Sequence, residues 1–230
     1  MNDNQQPSGD VTAAQPAIAA KGIELVYVAD PMCSWCYGFA PTIAAIARQF
    51  DGRMPVWPLM GGLRAGNSAA MSDKDKDYVR EHWGHVTQMT GRPFDYGFFD
   101  RQGFVYDTEP ACRAVVTMRI MAPERAMDYL ERVSTAFYAE GRDTTKAGVL
   151  IDLAEEMGAE RARFERGFAL PEVRDAAARD FSSARQLGVR GFPSLLAGND
   201  DIGYTLLSNG YIGLKPLSEQ LEGWYSSQVS

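Results

Sequence analysis

Two hydrophobic periods share this chain. Ile23-Glu24-Leu25-Val26-Tyr27-Val28 is a short β-branched run that predicts a strand, and Asp30-Pro31 breaks it. From Cys33 the period turns helical: Ala40, Ile43, Ala44, Ile46, Ala47 and Phe50 recur at helical spacing until Asp51-Gly52 ends the run. Met54 to Met60 predicts a second short strand, which Pro55 and Pro58 assign to an end or an edge. Strand, helix, strand opens a βαβ unit.

The middle of the chain is helix upon helix, with one irregular stretch. Tyr78, Val79, His82, Trp83, Val86 and Met89 predict one amphipathic helix. Ala111, Ala114, Val115 and Met118 predict a second, entered through Thr108-Glu109-Pro110 with Thr108 as the cap and Pro110 near the first turn. Ala126, Met127, Leu130, Val133 and Phe137 give a third, and Val149 to Met157, stopped at Gly158, a fourth. Arg92 to Gln102 reads as irregular and aromatic. After Pro171 a long helix runs to Leu187 and stops at Gly188. A strand–turn–strand signal follows, from Phe192 to Ala197, through Gly198-Asn199-Asp200-Asp201, to Ile202 to Leu207. A last helix starts at Lys215-Pro216 and carries Leu217, Leu221 and Trp224. The order is βαβ, a helical insert, then αββα.

Composition narrows the function classes. A formal net charge of −7 offers no basic stripe to a phosphate backbone and argues against nucleic acid and against an anionic membrane surface. No stretch approaches the roughly 20 apolar residues that span a bilayer. Residues 1–22 are polar and Ala-rich, lack the basic and apolar blocks of a signal peptide, and are expected to be a disordered tail. Cytoplasmic residence is expected on that basis, with a monomer as the default state.

Three cysteines make an odd set, and two of them form Asp30-Pro31-Met32-Cys33-Ser34-Trp35-Cys36. The pair sits where a strand ends and a helix begins, where unpaired N–H groups and the helix dipole favour an anion. A thiolate is such an anion, so Cys33 is the expected nucleophile. Cys36, one turn on, is placed to attack a mixed disulfide and release the partner. A zinc site would need four ligands, and only His82 and His85 could join the pair. Their setting resembles a packed helical face, so no metal is expected. Cys112 lies in an Ala/Val/Met pattern and reads as a small buried hydrophobe, with a resolving or regulatory role as the alternative.

These residues carry a resemblance. Asp30 to Phe39, Asp-Pro-Met-Cys-Ser-Trp-Cys-Tyr-Gly-Phe, resembles the active-site opening of the DsbA family, particularly its cytoplasmic branch of FrnE-like and disulfide-isomerase members. Gly61-Gly62-Leu63-Arg64 looks like that branch too, and Gly188-Val189-Arg190-Gly191-Phe192-Pro193-Ser194 is similar to the family's cis-proline segment. The resemblance implies an α/β, thioredoxin-like fold with a helical insertion domain. Residues 23–66 and 172–230 would form the thioredoxin-like domain, and 67–171 the insert.

By the same resemblance Cys33 is the nucleophile, Cys36 the resolving thiol, and Pro193 a cis-proline that leaves the Phe192 backbone free to pair with an extended substrate. Trp35 is exposed by that resemblance and contacts the partner, or is a plain lid over the helix end. Ser34-Trp35 replaces the Pro-His of the strongly oxidising periplasmic type, which implies a less oxidising pair. The position that carries a buried acid in some relatives is Tyr27 here, so that aid is absent. Asp30 stands as a proton shuttle for Cys36, or as a turn former before proline.

Three functions compete. The first is thiol–disulfide exchange on protein or peptide thiols and disulfides, with no bound cofactor and glutathione as a redox partner. The second is glutathione-dependent isomerase or transferase chemistry of the hydroxychromene-carboxylate isomerase or kappa type, where Ser usually replaces the first Cys. The third is a peptide-binding module without enzymatic activity, with a groove lined by Met60, Trp35 and the insert's aromatics.

Overall fold

A computed structural model describes residues 22–229, so the tail expected over 1–22 lies outside the described residues except for Gly22. Four strands form one sheet in the order β2-β1-β3-β4: β1 (Glu24–Ala29), β2 (Val56–Met60), β3 (Ser194–Asn199) and β4 (Gly203–Asn209). β1 and β2 are parallel, with Leu25 opposite Val56 and Ala29 opposite Met60. The crossover between them is α1 (Ser34–Gln49), as a parallel pair requires. β3 pairs antiparallel with β1 and then with β4. β2 is therefore an edge, which accommodates Pro58, because that position needs no ladder donor on its open side.

The pleat of β1 divides its side chains. Leu25, Tyr27 and Ala29 join the main core with α1 residues Phe39, Ile43 and Ile46 and with Leu217 and Leu221 of α8 (Leu214–Val229). Val28 packs on the other face with Leu196, Val189 and Ala184, the last from α7 (Pro171–Gln186).

Between β2 and α7 the chain forms α2 (Asp73–Thr90), α3 (Glu109–Met121), α4 (Ala126–Tyr138), α5 (Ala147–Glu156) and α6 (Arg161–Ala169). Their apolar faces belong to the same continuous core as β1 and α1. Four of the five follow the expected stripes. α6 was not anticipated. Only Phe164 and Phe168, four residues apart, are buried along it, too short a stripe to stand out against its charged neighbours.

Two expectations are corrected. Tyr78 and Met89 are 59% and 60% exposed, so the buried face of α2 is Val79, Trp83 and Val86. α2 also starts earlier than its apolar stripe, because Ser72 and Asp75 form a reciprocal capping box. Thr108 occupies the N-cap position of α3 but makes no cap bond. Its hydroxyl accepts the Arg64 N–H instead (3.2 Å), and Asp107 accepts the Glu109 N–H (2.9 Å). Trp83 is fully buried, with rings of Phe94, Phe98, Phe99 and Tyr138 within 5.2 Å of its own. The stretch expected to be irregular thus supplies core, and it contains one 3-10 turn at Tyr96–Asp100.

Candidate active site

The site forms where β1 ends. Asp30 Oδ1 accepts the N–H of Met32 (2.8 Å), the side-chain turn expected of an Asp before Pro. Its second oxygen accepts the N–H of Leu63 (2.7 Å) and the thiol of Cys112 (3.4 Å). Asp30 is fully buried, and burial pushes its carboxyl above the ordinary range against the pull of Thr108 and the Met32 and Leu63 amides. The expected buried cysteine, Cys112, is thereby also a ligand of the acid at the site.

Cys33 is the N-cap residue of α1, extended in backbone and without a side-chain cap. The first-turn N–H groups of α1 therefore have no side-chain acceptor at the N-cap. Cys33 is 6% and Cys36 3% exposed, and the three cysteines are unbridged. Cys33 Sγ lies 3.9 Å from the carbonyl oxygen of Phe192, and the Phe192–Pro193 peptide is cis. The chain thus brings Cys33, Cys36, Phe192 and Pro193 together from opposite ends of the sequence. Burial raises the Cys36 thiol well above its usual value. The Cys33 thiol and the Asp30 charge add to the rise, while the Asp30 backbone opposes it.

Trp35 departs from the exposure that the resemblance implies. It is half-buried, with its ring 5.7 Å from that of Tyr211, which follows β4. His82 and His85 lie on α2, and among the described residues no group of three or more His, Cys, Asp or Glu could hold a metal ion.

Several supporting residues carried no sequence signal. Tyr106 donates to the carbonyl of Met32 (2.6 Å) and meets the Tyr138 hydroxyl at 3.2 Å. Ser134 of α4 donates to the carbonyl of Pro31 (2.8 Å). Helical-insert side chains therefore satisfy the buried carbonyls of the Pro31-Met32 turn that presents Cys33.

Gly61-Gly62 also acquires a reason. A Cβ on Gly61 would lie 2.1 Å from the Phe192 ring, and one on Gly62, at φ +68°, would lie 2.7 Å from the Phe181 ring. The preceding Met60 N–H is held by Asp180 (3.0 Å), which takes two bonds of 2.8 Å from Arg119.

The chain matches the model of the DSBA-like thioredoxin domain over residues 24–221. It belongs to the DSBA-like family. A candidate protein disulfide isomerase from Nitrosomonas europaea is 31% identical with TM-score 0.86, covering 90% of this chain and 99% of that one. The cytosolic disulfide reductase DsbM of Pseudomonas aeruginosa is 26% identical with TM-score 0.73, covering 90% of this chain and all of that one, and it has also been solved with GSH. The ClpXP adapter protein SpxH of Halalkalibacterium halodurans is 20% identical over 192 residues, 79% of this chain. That match spans 60% of the relative's length. Membership makes this a chain of the DsbA-like thiol–disulfide oxidoreductase and isomerase group. No helix among the described residues is long and apolar enough to cross a membrane.

Proposed function

We propose that the protein exchanges thiols and disulfides on protein or peptide partners through Cys33 and Cys36, with glutathione as its redox partner in a cytoplasmic setting. One observation carries the reading: an uncapped cysteine at a helix N-terminus faces the carbonyl before a cis-proline, with a second cysteine buried one turn behind it. Cys33 attacks, its mixed disulfide lies along the Phe192 backbone, and Cys36 closes the pair to release the partner. An extended substrate strand would add its hydrogen bonds at Phe192. Tyr211 holds the indole of Trp35 at the rim of the same surface.

Equilibration in glutathione redox buffers, followed by alkylation and mass measurement, tests the reading. The pair should cycle as one two-electron couple, and Cys33 should alkylate before Cys36 because Cys36 is buried and its thiol is held up. A Cys33 that does not react, or a pair that never closes, ends the redox reading and brings forward glutathione-dependent isomerisation.

A further inference from the structure

A narrow crevice between α1 and α4 has Cys36 and Tyr27 of β1 in its lining. Its volume is about 40 Å³, and Tyr27, Cys36, Ala44, Asp128, Glu131 and Ser134 are among its walls. Such a space admits roughly one to three waters, and its polar lining gives them partners. Tyr27 and Cys36 are buried, whereas the Glu131 side chain is 42% exposed, so the crevice joins the buried sulfur to solvent.

We propose that this crevice is the route by which the Cys36 proton leaves and returns, with Tyr27 hydrogen-bonding the sulfur at the inner end and Glu131 accepting the proton through water at the outer end. The inference rests on the reading of Cys36 as the resolving thiol. It assigns chemistry to the Tyr27 phenol.

The groups facing Cys36 can be sorted. From β1 come Tyr27 and, at the strand end, Asp30; from α1, Cys33; from α4, Asp128 and Glu131. Arg92 is ion-paired with Glu131 at 3.5 Å. Asp30 does not line the crevice, and both its oxygens already accept from Met32, Leu63 and Cys112. Tyr27 lines the crevice beside Cys36, and the Phe39 ring lies 5.8 Å from its own. Burial and the two neighbouring cysteines hold the phenol protonated far above its usual range, so it acts as a neutral donor to the sulfur.

In the closing step Cys36 gives its proton to crevice water, which passes it to the Glu131 carboxylate. The Cys36 sulfur attacks Cys33, the Cys33–Cys36 bond forms and the Cys33–partner bond breaks. The partner leaves as a thiolate and is protonated from solvent. The pair is oxidised by two electrons and the partner disulfide is reduced by two.

The test loads Cys33 with an aromatic disulfide reagent whose thiolate absorbs visibly. A first release reports attack by Cys33, and a second reports closure by Cys36. Tyr27→Phe should slow the second release roughly a hundredfold near neutral pH, the lower end of the range for a positioned proton-handling group, and leave the first unchanged. Glu131→Gln, at the half-exposed end, should slow it about threefold on the acid side only, since hydroxide takes over at high pH. Ala44→Leu, which narrows the crevice, should act like Tyr27→Phe. Second-release profiles that match wild type in Tyr27→Phe and Glu131→Gln overturn the proposal, as does a profile moved by Asp30→Asn alone. Absence of any first release in the wild type removes the Cys33 reading and this proposal together, which distinguishes the two failures.

Discussion

Gly61→Ala places one methyl group where the packing beside the site admits none. The added Cβ would meet Phe192 Cε1 at 2.1 Å, Cζ at 2.2 Å and Cδ1 at 2.9 Å. Carbon atoms rest at about 3.5 Å or more, so the ring must move by roughly 1.4 Å. Gly61 shows no left-handed φ, so the substitution perturbs packing and leaves its backbone conformation allowed. Phe192 is half-buried and packs against the cluster of Val28, Ala184, Val189 and Leu196, so displacing its ring disturbs that packing. Overpacking of this kind costs about 1–3 kcal/mol. The same movement displaces the Phe192 carbonyl that faces Cys33 Sγ at 3.9 Å. Urea unfolding of the reduced protein reads the first effect, and the rate of mixed-disulfide formation with a peptide disulfide reads the second. Phe192→Leu in the Gly61→Ala background should recover part of both, a coupling that a double-mutant cycle isolates. Wild-type stability and rate in Gly61→Ala would refute the account of the Gly-Gly pair as a seat for Phe192.

Two other perturbations probe the supports of the site. Asp180→Ala removes the acceptor of the Met60 N–H and strands the Arg119 guanidinium, only 15% exposed, at a cost of about 3–5 kcal/mol by urea unfolding. Replacing both partners by apolar residues should cost less, and an equal cost would show that the pair stabilises by its charges alone. Asp30 gives a pH signature. Burial raises its folded carboxyl above the ordinary value, so between the unfolded and folded values the native state binds more protons than the unfolded chain. Stability attributable to Asp30 is therefore greatest below the unfolded value and falls as pH rises through the folded one. The wild-type minus Asp30→Asn stability difference should decline over that window, and a flat difference contradicts the assignment.

The order of elements was legible because each kind has its own period. The β-branched run at Ile23 to Val28, the stripe from Ala40 to Phe50 and the hairpin around Gly198-Asn199-Asp200-Asp201 all appear where the residues place them. Cys33 at the end of a strand was found for the same local reason, whereas Phe192 before Pro193 came from the resemblance to the DsbA family. α6 was hidden by its length. Trp35 is half-buried because Tyr211, remote in sequence, closes on it. Tyr106, Ser134 and Asp180 were invisible because each makes a bond to backbone far along the chain, and no spacing rule encodes a partner that only folding brings near.

These long-range bonds say why the helices between β2 and α7 matter to the chemistry. The turn Asp30-Pro31-Met32 exposes two carbonyls in a dry core, and leaving either unpaired would cost about 1–3 kcal/mol. Ser134 takes the Pro31 carbonyl, Tyr106 takes that of Met32, and Leu63 and Cys112 hold the Asp30 carboxyl. The turn is therefore fixed by α3, by α4 and by the segments just after β2 and before α3, rather than by its own strand and helix. A sheet and α1 alone could offer a cysteine at a helix N-terminus. Holding that cysteine 3.9 Å from the Phe192 carbonyl requires the turn before it to be rigid, and the side chains that make it so come from the inserted helices and their flanks.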